Sequence, residues 1–203
     1  MMFSIVRIII ACVFLVCSVI VINNKANNKR HLYGVFATIS VGLVVVLSYL
    51  PLENLFITFD TPEKAFEYYN WGESDIELVV EGENCGFVVG SKENTDTYLI
   101  IPKTTDGWKI GIGSNTKKIV HKLDDGISVY VYQYKNTNDY FITILNTSGG
   151  ESKVSDDYNT EFYSLEKYNG SLDKHFITYY AHISGFDSQY SVVVNGKTIA
   201  LDY

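Results

Sequence analysis

No aspartate or glutamate occurs before Glu53, and no arginine occurs after Arg30. The first 52 residues therefore carry only Arg7, Lys25, Lys29 and Arg30 as fixed side-chain charges. The remainder holds 12 lysines against 23 acids, a net charge of −11. Such a break separates two environments along one chain. The acidic part repels phosphate and lacks the bidentate arginine fork, so nucleic acid is excluded as a partner. Cysteine is scarce as well. Cys12 and Cys17 fall in the first apolar run, and Cys85 stands alone in the acidic part, which therefore has no internal disulfide. A lone cysteine without a paired base reads as a small buried hydrophobe.

The motifs of common chemistries are also missing. There is no Cys-x-x-Cys or His-x-x-x-His, and His175 and His182, seven apart on one expected strand, point to opposite faces, so zinc is not expected. Asp124-Asp125-Gly126 and Asp156-Asp157 offer oxygens without the spacing of a calcium loop, and paired acids in turns are ordinary turn formers. No Gly-x-Ser-x-Gly elbow, Ser-x-x-Lys pair or complete Gly-x-Gly-x-x-Gly fingerprint appears. The reading is of a protein that is not an enzyme, with no catalytic residue, no cofactor and no metal.

What is present begins with two apolar runs. Phe3 to Ile22 is broken only by Arg7, which can snorkel, and residues 33–52 carry no charge. Each matches about 30 Å of helix, the thickness of a bilayer core. Gly34, Ala37, Ser40 and Gly42 permit close helix approach, and Tyr33 and Tyr49 sit where interfacial aromatics belong. Lys25, Lys29 and Arg30 make the intervening loop basic. The expectation is a transmembrane helical hairpin (3–22 and 33–52) with a cytoplasmic loop, the bilayer as partner, and the acidic part outside the cell. Two alternatives compete for the first run: a cleaved signal peptide, and a lipoprotein signal ending at Cys12, for which residues 8–11 make too short an apolar core.

The acidic part reads as strands after one helix. Thr61 caps, Pro62 suits the first helical position, Glu63 complements the dipole, and Ala65, Phe66 and Tyr69 share a face. Strands follow near 76–80, 86–89, 97–101 and 108–112, with Asp106-Gly107 as a hairpin turn. A second set covers 119–122, 127–134, 140–145, 161–168, 174–183, 190–194 and 198–202, with Asn195-Gly196 closing the last hairpin. The fold expected is therefore the helical hairpin (1–52), a small helix-plus-sheet module (53–115) and a β-sandwich-like module (116–203), mainly antiparallel. Tyrosine is the abundant residue type, and the alternation of 127–134 puts Tyr130, Tyr132 and Tyr134 on one face, a candidate recognition surface for a protein or a cell-wall glycan.

Thr61-Pro62-Glu63-Lys64-Ala65-Phe66, followed by strands and Asp106-Gly107-Trp108-Lys109-Ile110, resembles the helix and hairpin of small membrane-anchored extracytoplasmic proteins of Gram-positive bacteria, a mostly uncharacterised group. The resemblance covers about residues 60–112 and implies an extracytoplasmic module at a bacterial cell envelope, with no site residues to carry over. The function expected is binding or sensing at the cell surface. The alternatives are an accessory or immunity-type subunit of a membrane complex, and an envelope hydrolase without a known motif.

Overall fold

The computed structural model describes residues 5–25, 29–49, 52–70, 74–92, 95–111, 116–147, 150–169, 174–187 and 189–202. The chain divides into two compact units, Met1–Thr58 and Phe59–Tyr203.

The first unit is helical: α1 (Ile5–Lys25), α2 (Lys29–Tyr49) and a 3-10 turn at Leu52–Leu55. The buried hydroxyls of Ser18 and Ser40 donate to the carbonyls of Phe14 and Phe36 one turn back. Tyr33 donates to Asn23 Oδ1 at 2.8 Å, tying the start of α2 to the end of α1. Among the described residues, no helix is long and apolar enough to cross a membrane. This overturns the expected transmembrane hairpin and the two-pass cell-membrane location. The helix boundaries give the physical reason. The expected basic loop is largely helix: Asn23, Asn24 and Lys25 end α1, and Lys29, Arg30 and His31 open α2. Between Arg7 and Asn23 the apolar stretch covers about 22 Å, against about 30 Å of hydrocarbon. The described part of the second helix ends at Tyr49, Leu52 already belongs to the 3-10 turn, and Gly34, Thr38, Ser40 and Gly42 lower the helix's apolarity.

The second unit is mainly antiparallel β, as the alternation suggests. After α3 (Pro62–Asn70) come β1 (Asp75–Glu81), β2 (Cys85–Lys92), β3 (Thr95–Thr104) and β4 (Gly107–Trp108), paired in that order. A second sheet has the order β5 (Thr116–Asp124), β6 (Ile127–Tyr134), β7 (Asp139–Asn146), β10 (Lys174–Ser184), β9 (Tyr163–Asn169). A third joins β12 (Lys197–Ala200), β11 (Ser191–Val194) and the short β8 (Val154–Asp156), which the pattern alone does not reveal. Of the expected strand at 108–112 only Trp108 is in a strand, β4; Lys109, Ile110 and Gly111 leave the ladder, and Ile112 lies outside the described residues.

Three apolar layers hold these elements. Ala65 and Phe66 of α3 pack on Val88, Ile101 and Trp108. The opposite face of the first sheet (Val80, Cys85, Phe87, Val89, Ile100) packs on Tyr134, Phe141 and Tyr180 of the second. The other face of the second sheet (Val129, Val131, Ile142, Ile144, Tyr179) packs on Val192, Val194 and Ile199 of the third. Strands β2 and β7 are thus covered on both faces, which is why they read as continuous apolar runs. The two strand sets lie in one unit and share the middle layer. Lys167 on β9 reinforces it by pairing with both Glu77 of β1, at 2.7 Å, and Asp96 of β3.

Candidate functional site

Antiparallel pairing of β7 with β10 sets Asp139 opposite Ser184 and Phe141 opposite His182. Asp139 and His182 are therefore diagonal neighbours on the face turned toward the first sheet. His182 Nε2 lies 2.8 Å from Asp139 Oδ1, and the carboxylate is only 1% exposed. A buried charge must be paired and hydrogen-bonded to persist. Asp139 accepts from the backbone N–H groups of Glu83 and Asn84, at 2.8 and 2.9 Å, and from Asn84 Nδ2 at 2.9 Å. Burial pushes its pKa up, but the bonds from Asn84, Glu83 and His182 outweigh burial and hold it below the usual carboxylate value. All these donors but His182 sit in the turn between β1 and β2, so the carboxylate also fastens the first sheet to the second.

The turn must approach the pair closely. Gly82 N–H donates to the Cys85 carbonyl at 2.7 Å. A Cβ on Gly82 would stand 2.6 Å from Asp139 Oδ1 and 2.8 Å from His182 Nε2, so any side chain there would have to push the carboxylate or the ring aside. Cys85 beside it is buried, and burial, then the Asp139 charge, push its thiol far up, so it is not a nucleophile.

His182 borders two clefts of about 240 and 400 Å³ that share it and Glu161 as walls. The smaller adds Tyr158, Thr160 and Ser184; the larger adds Glu81, Tyr163 and the strand β1 residues Val79 and Val80. The β8–β9 connection that carries Tyr158 to Glu161 is built on Asp156. Its carboxylate accepts from the N–H groups of Tyr158 and Thr160, from the Thr160 hydroxyl and from Tyr190. Burial raises the Asp156 pKa, and these bonds more than reverse it. Asn159 takes the left-handed conformation (φ 55°) at the tip of this connection. Tyr158 stacks on Tyr190 at 5.4 Å and donates to Asp187.

The tyrosine face expected as a recognition surface lies on β6 and turns toward the first sheet. Tyr134 is buried in the middle layer. Tyr132 is half-buried, stacked on Phe87 at 6.1 Å and with its hydroxyl 3.4 Å from that of Tyr98. Burial, then Tyr98, raise the Tyr132 phenol pKa. Tyr130, also half-buried, stacks on His121 at 4.6 Å under Lys118. This placement gives Tyr132 and Tyr134 a packing role. His175 faces Glu166 rather than His182. Among the described residues, no three His, Cys, Asp or Glu side chains converge as metal ligands. Asp156, weighed from sequence as a calcium ligand, is instead occupied with the turn it organises.

Asp139, His182, Glu161 and Gly82 are not site candidates in the sequence reading. Asp139 reads as part of an Asn-Thr-Asn-Asp turn, and nothing local links it to a histidine 43 positions on. Comparison with protein-family models, with curated proteins and with solved structures found no match.

Proposed function

We propose that the β unit is a ligand-binding module whose recognition centre is the cleft around His182. One observation carries this reading: a histidine at the wall of two open clefts is held by a buried, four-times-bonded carboxylate. Its ring is therefore oriented before any ligand arrives, which lowers the entropic cost of binding. The cleft volumes suit a small molecule.

Two features favour binding over hydrolysis. The Ser184 hydroxyl donates to Glu83 Oε1 at 3.3 Å, not to His182, so no nucleophile–base pair is formed. The carboxylates with shifted pKa values around the site, Asp139, Asp156 and Asp187, are all lowered, whereas a general acid needs a raised one.

The test is histidine-selective NMR on the full chain, with the ring Cε1–H signals of His121 and His175 as internal references. A fragment library of mixed charge is titrated against wild type and Glu161→Gln. The expected result is a set of fragments that shift His182 alone and bind more weakly to the variant. A library with no member acting on His182 overturns the reading.

A further inference from the structure

Among the described residues, five side chains bordering the clefts carry a polar hydrogen: Tyr158, Thr160, Tyr163, His182 and Ser184. Every one already faces a carboxylate. Tyr158 donates to Asp187 at 2.8 Å, Tyr163 to Glu161 at 2.8 Å, Ser184 to Glu83 at 3.3 Å, and Thr160 to Asp156. His182 meets Asp139 through Nε2. His182 Nε2 is thereby committed to the carboxylate. Lone pairs are what the four hydroxyl oxygens have left. Glu161 and Glu81, the latter paired with Lys103 at 3.4 Å, add carboxylate oxygens, and among the described residues no lysine or arginine lines either cleft.

An anion or a carbonyl compound entering here finds acceptor oxygens, while the four hydroxyl protons and His182 Nε2 already face carboxylates. A cation with N–H groups finds both the hydrogen-bond acceptors and the negative potential it needs. Two tyrosine rings, Tyr158 and Tyr163, supply apolar area beside the acceptors for a short carbon body, with rings that attract cations.

We infer that the ligand of this cleft is a small organic cation bearing N–H donors, an alkylammonium or alkylguanidinium group. The inference rests on the binding reading above and names its ligand class. It is distinct from an acidic patch as such, because it depends on the direction of each hydroxyl proton.

The experiment titrates n-butylammonium, n-butylguanidinium, tetramethylammonium, n-butanol and butyrate into the full chain, following the His182 Cε1–H signal. At least one of the two N–H cations is expected to saturate the shift at a concentration about tenfold below butanol and butyrate. Glu161→Gln weakens that cation about fivefold or more and leaves butanol unchanged. Glu166→Gln, which alters an exposed carboxylate beside His175, has no effect. Equal or tighter binding of butyrate or butanol overturns the ligand class while leaving a binding cleft in place. Tetramethylammonium binding as well as the N–H cations overturns the hydrogen-bond argument. If none of the five acts on His182 but fragments of the mixed library do, the cation inference fails alone. If neither set acts, both readings fail.

Discussion

Gly82 shows how much rests on one hydrogen in place of a side chain. A methyl group there would displace either the Asp139 carboxylate or the His182 ring. Neither has room to yield, since Asp139 is held by four donors and His182 is packed against Phe141 at 5.3 Å. Gly82→Ala is expected to lower stability by about 2 kcal/mol in urea titrations and to shift the His182 ring signals. Asp139→Asn keeps the shape but removes the charge. It turns one acceptor oxygen into a donor facing other donors. A loss of about 2–3 kcal/mol at neutral pH is expected, again by urea unfolding. The alternation of residues 127–134 correctly groups Tyr130, Tyr132 and Tyr134 on one side of a strand. What covers that side is contributed by Phe87 and Tyr98, more than thirty positions earlier, so exposure was not legible there.

At the scale of elements, α3 was readable because its signals are local. The Lys64 N–H lies 3.4 Å from the Thr61 hydroxyl, Pro62 starts the helix, and Ala65 and Phe66 fall on the buried side, whereas Tyr69, expected on the same face, is exposed. What the helix packs on was not local. Phe66 is fully buried against Gly90 of β2, where a Cβ would come within 2.8 Å of its ring. The pairing is therefore reciprocal: a small strand residue receives a large helix residue. Gly90→Ala is expected to cost about 1–3 kcal/mol through overpacking. The double variant Gly90→Ala, Phe66→Leu should lose less than the sum of the two single changes. A thermodynamic cycle built from urea midpoints checks this; strict additivity would disprove the contact. Hairpins with strong turn chemistry were equally legible, as at Asn195-Gly196, where both residues have positive φ. Strand β8 was not, since three residues give no measurable period.

For the whole molecule, the acidic surplus and its multiply hydrogen-bonded carboxylates predict the response to pH. Asp139 and Asp156 have pKa values below their ordinary range in the folded state. A carboxyl so lowered contributes stability above its unfolded value, near pH 4, and loses it as pH falls through the folded value. Stability is therefore expected to stay nearly level from neutral pH to about 5 and to drop steeply below about 4. Asp139→Asn should begin lower and fall less steeply in acid, by about one proton in the slope. Equilibrium unfolding across that range measures both. An equal acid slope in the two proteins would mean that Asp139 is not the ionised anchor described above.

Local chemistry in the chain determined the helix start at Pro62, nearly every strand of the β unit, the turns between them and the acidic, arginine-free character of that unit. These depend on spacing and on residues a few positions apart. Tertiary structure decided the rest. It extended the two N-terminal helices through polar residues that sequence assigned to a loop, leaving no helix long and apolar enough to cross a membrane among the described residues. It merged two strand sets into one stack with a common layer. It also brought Asp139, His182, Gly82 and Glu161 to one place, because strand register and sheet-on-sheet packing join residues that no local period connects.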